Sequence, residues 1–214
     1  MTKGKRAQRI LITAGPTREY VDPVRYLSND SSGRMGFAIA DAAARLGLEA
    51  VLVAGPVSLP TPPNVRRIDV VSALQMHEEV SRRAKSADVV VMAAAVADFR
   101  PAKAAKQKIK KAALCGRGLS IGLKENPDIL AEICRTKRPN QTMVGFSLET
   151  QDMERNSRRK LKEKGCDWIV ANPARAIGAK SNRVVLFHRD GRRIPLPRMT
   201  KEELSVVILS HILA

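Results

Sequence analysis

Two stretches of this 214-residue chain carry the small residues that let a backbone cradle an anion: TAGPTRE (13–19), with Gly15, and SSGRMG (31–36), with Ser31, Ser32, Gly33 and Gly36. Small side chains leave backbone N–H groups bare, and a helix beginning at Gly33 adds its dipole to them. In AAAVADFRP (93–101), Ala93 to Ala95 allow a ligand to approach the backbone, and Asp98 with Arg100 offers a charged pair. Lys103, Lys106, Lys108, Lys110 and Lys111 follow directly. If KQKIK is extended, Lys106, Lys108 and Lys110 share one face. Further on, DMERNSRRKLKEK (152–164) sets Lys160 and Lys164 one helical turn apart, a spacing that can grip a polyphosphate. Each feature also has a plainer reading: a glycine-eased helix start, a packing corner, a solvated charge run.

Other chemistries lack their residues. No GxGxxG follows the first strand directly, and the second strand ends Val53-Ala54-Gly55 with no acidic residue, which argues against an NAD(P)-binding oxidoreductase. Walker A, GxSxG and HExxH patterns are missing. His77, His188 and His211 have no metal-ligand spacing. Cys115, Cys134 and Cys166 are odd in number without a CxxC pair, so neither a disulfide framework nor a zinc site is expected.

The elements that must position these residues follow from hydrophobic patterning. Apolar runs at 9–13, 49–55, 65–71, 87–95, 142–148 and 167–172 read as buried strands. Helical spacing runs from Gly33 to Leu46, from Ser72 to about Lys85, from Asn126-Pro127 to about Thr136, and from Asp152 to Lys164. Residues from Gly15-Pro16 to about Ser31 and those from 99 to 120 read as irregular. Asp190-Gly191 between Val184–Phe187 and Arg193–Leu196 signals a hairpin. Thr200 with Glu203 forms a capping box for a last helix. Strands that are apolar throughout and alternate with helices imply an α/β fold: a doubly wound, mainly parallel, Rossmann-like sheet with helices on both faces and a late β-hairpin. Ligands bind such a sheet at the carboxyl ends of its strands, where all the segments above fall. The expectation is a single domain over 1–214, with a basic leader at 1–8 and a mobile lysine-rich flap at 99–120.

Composition narrows the partners. Lys and Arg number 38 against 21 Asp and Glu, a net charge of +17, which fits nucleic acid, acidic membrane or phosphorylated small molecules. Aromatic residues are only 3% of the chain, too few for a base-stacking platform. No apolar run approaches the ~18 residues of a spanning helix. MTKGKRAQRILIT has no signal-peptide pattern, so a cytoplasmic protein is expected. A nucleic-acid-binding module using the flap and Arg158-Arg159-Lys160 stands as an alternative, with binding that falls steeply with salt.

Taken in order, ITAGPTRE, DPVRYLSNDSSGRMG, AAAVADFRP, KIKK, ENPDIL, VGFSLET and RRKLKEKGCDWIVAN resemble the phosphopantothenate–cysteine ligase family over nearly the whole chain. The resemblance implies joining of 4′-phosphopantothenate to L-cysteine through an acyl-nucleotide. CTP is expected over ATP as the nucleoside triphosphate, Mg²⁺ as the cofactor and a homodimer as the assembly. It implies that Asn29, Ala94, Ala95 and Asp98 contact phosphopantothenate and that Arg25 reaches across the dimer. Gly15, Ser31, Gly33 and Gly36 match the family's nucleotide-phosphate turn, and Lys108 its flap lysine. Asp98, Asn126, Pro127, Asp128, Ile129, Phe146, Lys160 and Lys164 match its nucleotide positions. Asn29 and Lys108 are the expected catalytic residues, Asn29 as an amide donor to the oxyanion and Lys108 to phosphoryl oxygens. In many bacteria the family's ligase follows a flavin-dependent decarboxylase, and no such stretch stands before the motifs here, so the ligase alone is expected, without flavin. No membrane or nucleic-acid partner is implied. Asp30, GFSLET and PARAIGAKSNR depart from the family's usual wording, and none of these departures removes a residue named above.

Overall fold

The computed structural model describes residues 7–111, 118–149, 151–173 and 181–214. Most of the expected basic leader, part of the flap, Cys115 and most of PARAIGAKSNR lie outside these residues.

The sheet begins with β1 (Arg9–Ala14), whose side chains are almost all buried, as an apolar strand covered on both faces must be. A short antiparallel pair, β2 (Arg18–Asp22) and β3 (Arg25–Ser28), follows where an irregular loop is expected. Its turn is set by the buried Asp22 carboxylate, whose Oδ1 accepts from the amides of Val24 and Arg25 at 2.9 Å each. That Asx turn makes a hairpin of a segment with no hydrophobic alternation to announce it.

Then come α1 (Arg34–Arg45), β4 (Glu49–Ala54), β5 (Val65–Asp69), α2 (Ala73–Ala84) and β6 (Val89–Met92). The expected irregular stretch at 99–120 begins with β7 (Phe99–Pro101), which pairs antiparallel with β8 (Leu123–Glu125). The chain closes with α3 (Ile129–Arg135), β9 (Thr142–Glu149), α4 (Met153–Lys164), β10 (Trp168–Pro173), β11 (Ser181–Asn182), β12 (Val185–His188), β13 (Arg193–Pro195), β14 (Met199–Thr200) and α5 (Lys201–Leu213).

The main sheet has the order β13-β12-β10-β9-β6-β1-β4-β5, parallel from β10 to β5. The Asp190-Gly191 hairpin forms as expected and joins this sheet, β12 running antiparallel to β10. On one face α1 and α5 bury Phe37, Ile39, Leu204 and Ile208. On the other, α2, α3 and α4 bury Met76, Val80, Ile133 and Leu161. The doubly wound α/β expectation therefore holds.

Capping chemistry departs from expectation at two helices. Pro127 stands before the helix rather than in its first turn, because Asp128 is the N-cap and accepts from the Ala131 amide. Asp152 does begin α4, but with φ 47° its side chain cannot reach the first turn and pairs with Arg155 instead. The boxes at Ser72 and Thr200 form with both reciprocal bonds.

Candidate functional site

At the carboxyl ends of β1, β6 and β9 the chain leaves the sheet in loops that enclose a cavity of about 980 Å³. It lies beside β1, where the order of connection reverses, the place an open parallel sheet offers to ligands. Its walls include Asn29, Ser31, Gly33, Gly36, Ala94, Ala95, Asp98, Asn126, Pro127, Asp128, Ile129, Phe146, Lys160 and Lys164, all expected from the sequence. Gly15, Arg25 and Lys108 are the expected residues that do not line it.

Gly15 lies beneath the wall. It and Gly33 have φ of 79° and 73°, and a Cβ on Gly33 would stand 3.2 Å from the Gly15 Cα, so the two turns fit only as bare backbone. Gly33 is the N-cap of α1 and supplies no side-chain acceptor, nor does the first turn hold an acidic residue. The first amides of α1 are thus left for a ligand. Gly36 has a second duty: a Cβ there would come within 2.5 Å of the Ala14 Cβ, so its bareness lets α1 sit on β1.

Asn29 is held by two bonds, its Nδ2 donating to the carbonyls of Ala95 (3.2 Å) and Val96 (3.1 Å). Both amide hydrogens are spent, which corrects the expectation that Asn29 donates to an oxyanion. Its Oδ1 is the atom left to face a ligand, as an acceptor. The expected Asp98–Arg100 pair does not form either. Arg100 turns to Asn126, donating to Oδ1 at 2.7 Å, while Asn126 Nδ2 donates to Ala97 at 2.8 Å and its backbone N–H to Asp98 at 2.8 Å. Asn126 thereby straps the β8–α3 loop to the loop after β6, and the Asp98 carboxylate is left exposed on the cavity wall.

Lys160 and Lys164 project from one face of α4 into the cavity, as their spacing implies. Lys160 Nζ donates to the Phe146 carbonyl at 2.9 Å. Burial pushes its ammonium below the usual lysine range, an effect that Glu149 opposes and Lys164 reinforces. Lys164 pairs with Asp128. Burial raises the Asp128 carboxyl, but Lys164, the Ala131 amide and Lys160 outweigh it and hold the group below the usual carboxylate range.

Arg25 and Lys108 are kept away from the cavity by one carboxylate. Asp22 Oδ2 accepts from Arg25 Nη1 at 2.5 Å and from the Ile109 amide at 3.1 Å, and Arg25 also donates to the Ile109 carbonyl at 3.1 Å. Ala105 is tied to Val21 at 2.8 Å. The lysine-rich stretch is therefore fastened to the β2–β3 hairpin, with Lys106, Lys108 and Lys110 exposed. No strand forms over 106–110, so the expected alternation of faces has no ladder behind it.

Sequence reasoning missed Arg34, Asn172, Asn182 and Lys201, which also line the cavity. Asn172 Oδ1 is buried without a hydrogen-bond partner among the described residues. The Thr200 capping box places Lys201 at the first position of a helix, and that signal was legible; its place beside Arg34 at the crevice was not. Among the described residues no group of three His, Cys, Asp or Glu is placed to hold a metal ion, and no helix is long and apolar enough to cross a membrane. Cys134 and Cys166 are buried and free.

Comparison with known proteins yields consistent matches. The family model for the DNA/pantothenate metabolism flavoprotein C-terminal domain matches residues 5–214. The coenzyme A biosynthesis bifunctional protein CoaBC of Escherichia coli K12 is 47% identical over 207 residues, covering 95% of this chain and 51% of that protein. The chain thus spans about half the length of the curated relatives it matches. The crystal structure of the C-terminal domain of CoaBC has a TM-score of 0.82 at 41% identity, covering 96% of this chain and 93% of that one. The DNA/pantothenate metabolism flavoprotein from Streptococcus pneumoniae has a TM-score of 0.80 at 25% identity, covering 97% and 99%.

Proposed function

This chain belongs to the DNA/pantothenate metabolism flavoprotein C-terminal domain family, and from that premise we propose that it joins 4′-phosphopantothenate to L-cysteine at the expense of a nucleoside triphosphate, CTP rather than ATP. The observation that carries the reading is that sequence-expected residues converge from five separate segments on one crevice. At about 980 Å³ it stands at the upper end of the roughly 300–1,000 Å³ of ligand sites, room for a nucleotide beside an acyl substrate.

A carboxylate is a poor acceptor for an amine and must first be activated. In the first step a carboxylate oxygen of phosphopantothenate attacks the α-phosphorus, an acyl–O–P bond forms, and pyrophosphate leaves. The bare α1 amides, Lys160 and Lys164 supply fixed positive potential for the phosphates, and Lys108 adds a further cation if the 103–111 stretch closes over the crevice. In the second step the cysteine amine attacks the acyl carbon and the nucleoside monophosphate departs. Asn29 Oδ1 is suited to accept a hydrogen bond from that amine and so to aim its lone pair.

Mg²⁺ fits this donor set in its usual phosphate-borne mode, with few protein ligands: Asp98 is an exposed carboxylate on the wall and would hold it together with phosphate oxygens and water. The ion would supply charge neutralisation at the phosphates. Nothing in the reading calls on a flavin, a nucleic acid or a membrane, and it places the reaction in the cytoplasm. A homodimer is favoured by the exposed Tyr20, Val24, Tyr26 and Leu27 of the β2–β3 hairpin, beside Phe99 of β7.

Pyrophosphate release with phosphopantothenate, cysteine and each nucleotide tests the reading. CTP should support turnover best, and silence with every nucleotide would refute it. Asn29→Asp cannot donate to the Ala95 and Val96 carbonyls and so loses the position of its acceptor oxygen; it should still release pyrophosphate in a first turnover yet lose most of the cysteine-dependent second step.

A further inference from the structure

Lys201 opens α5 at the wall of the crevice, yet it is only 7% exposed. Among the described residues no carboxylate pairs with it, and the stretches outside them contain no Asp or Glu. Glu203, two residues on, is spent on the capping box, where its Oε2 accepts from Thr200. Burial pushes the Lys201 ammonium below its usual range, Arg34 pushes it further, and Glu202 only partly opposes them. Arg34 is the first residue of α1 and likewise forms no ion pair among the described residues. The two helices pack side by side on one face of the sheet, so their starts meet at the crevice. Two unpaired cations stand there beside the uncapped α1 amides.

A buried ammonium next to a second cation is costly unless an anion completes the site. We propose that Lys201 and Arg34, with the α1 N-terminus, form the seat of the terminal pyrophosphoryl group of the nucleotide. Two cations and a helix end match the charge of a pyrophosphoryl group better than that of a phosphomonoester. Lys160 and Lys164 reach the crevice from α4, on the opposite face of the sheet, which leaves them to the α-phosphate and this pole to the terminal phosphates. The inference rests on the nucleotide-dependent reading above and adds residues to it that no family motif supplied.

Calorimetric titration with inorganic tripolyphosphate, and separately with phosphopantothenate, tests the seat. Lys201→Gln should weaken tripolyphosphate at least tenfold and change phosphopantothenate less than twofold. Unaltered tripolyphosphate binding, or a loss confined to phosphopantothenate, overturns the proposal. If Lys201→Gln does not fold, the exposed Arg34→Gln decides: a threefold or greater loss of tripolyphosphate affinity supports the seat, and none overturns it. A chain that binds tripolyphosphate through these residues but never releases pyrophosphate fells the ligase reading and keeps the seat. Normal turnover with an unchanged nucleotide KM in Lys201→Gln does the reverse.

Discussion

Two groups of lysines in this protein look alike in sequence and differ in physical state. Those of the 103–111 stretch are exposed, and the segment carrying them is tied to the β2–β3 hairpin through Asp22 and Val21. Those of the crevice are each committed: Lys160 to the Phe146 carbonyl, Lys164 to Asp128, Lys201 to a buried place without a counter-ion. A solvated lysine is cheap to keep and contributes only when it is brought to a ligand. A buried one costs stability in the free protein and is already in position. The first group should therefore act on the chemical step through closure, and the second on nucleotide binding, being in position before the ligand arrives.

The sharpest way to break this contrast is Lys108→Gln. If the stretch closes over the phosphates, kcat should fall about 10²–10³-fold while the melting temperature stays unchanged, because the side chain is exposed in the open form. Lys110→Gln, equally exposed, should alter neither beyond about twofold. Equal effects at the two positions would mean that the stretch acts only as diffuse charge.

A smaller effect is expected from the crevice. Lys160→Gln should raise the nucleotide KM roughly tenfold, the worth of one charge-assisted hydrogen bond. It should do so with little change in kcat, since Lys160 meets phosphate charge that the bound nucleotide already carries before the reaction. A kcat loss as large as that of Lys108→Gln would erase the distinction.

The smallest effect is on stability. Because the folded Asp128 carboxyl lies below its usual range, its pairing with Lys164 stabilises above that usual range and is lost as pH falls through the lowered folded value. Both side chains are partly exposed, so Lys164→Gln should cost at most about 1 kcal/mol at pH 7 in denaturant titrations. Once the pH is below the lowered folded value of Asp128, the difference from the unaltered chain should vanish. A gap that persists in acid would show that Lys164 acts through packing instead.

The sheet was legible because fully buried parallel strands need continuous apolar runs, and 9–13, 87–95 and 142–148 each hold one. Helix starts were legible where the signal is local, at Ser72 and Thr200. The β2–β3 and β7–β8 pairs escaped because neither has an apolar face to alternate against; one is fixed by the Asp22 Asx turn, the other by its place beside the first. At the site, spacing along α4 put Lys160 and Lys164 together correctly. Which atom Asn29 leaves free was not legible, since nothing in its neighbours along the chain says that the carbonyls of Ala95 and Val96 take both its hydrogens.

Residue order alone settled which segments build the main sheet and its helices and which loops gather at one rim, because hydrophobic period and capping chemistry act over a few residues. Only the folded chain decided which charges are neutralised, which are buried bare and which donors are already used. Those depend on residues scores of positions apart: Arg34 beside Lys201, Asp22 beneath Ile109, Asn29 against Ala95. Electrostatic and hydrogen-bonding character is a property of distance in space, and the sequence carries no measure of that distance.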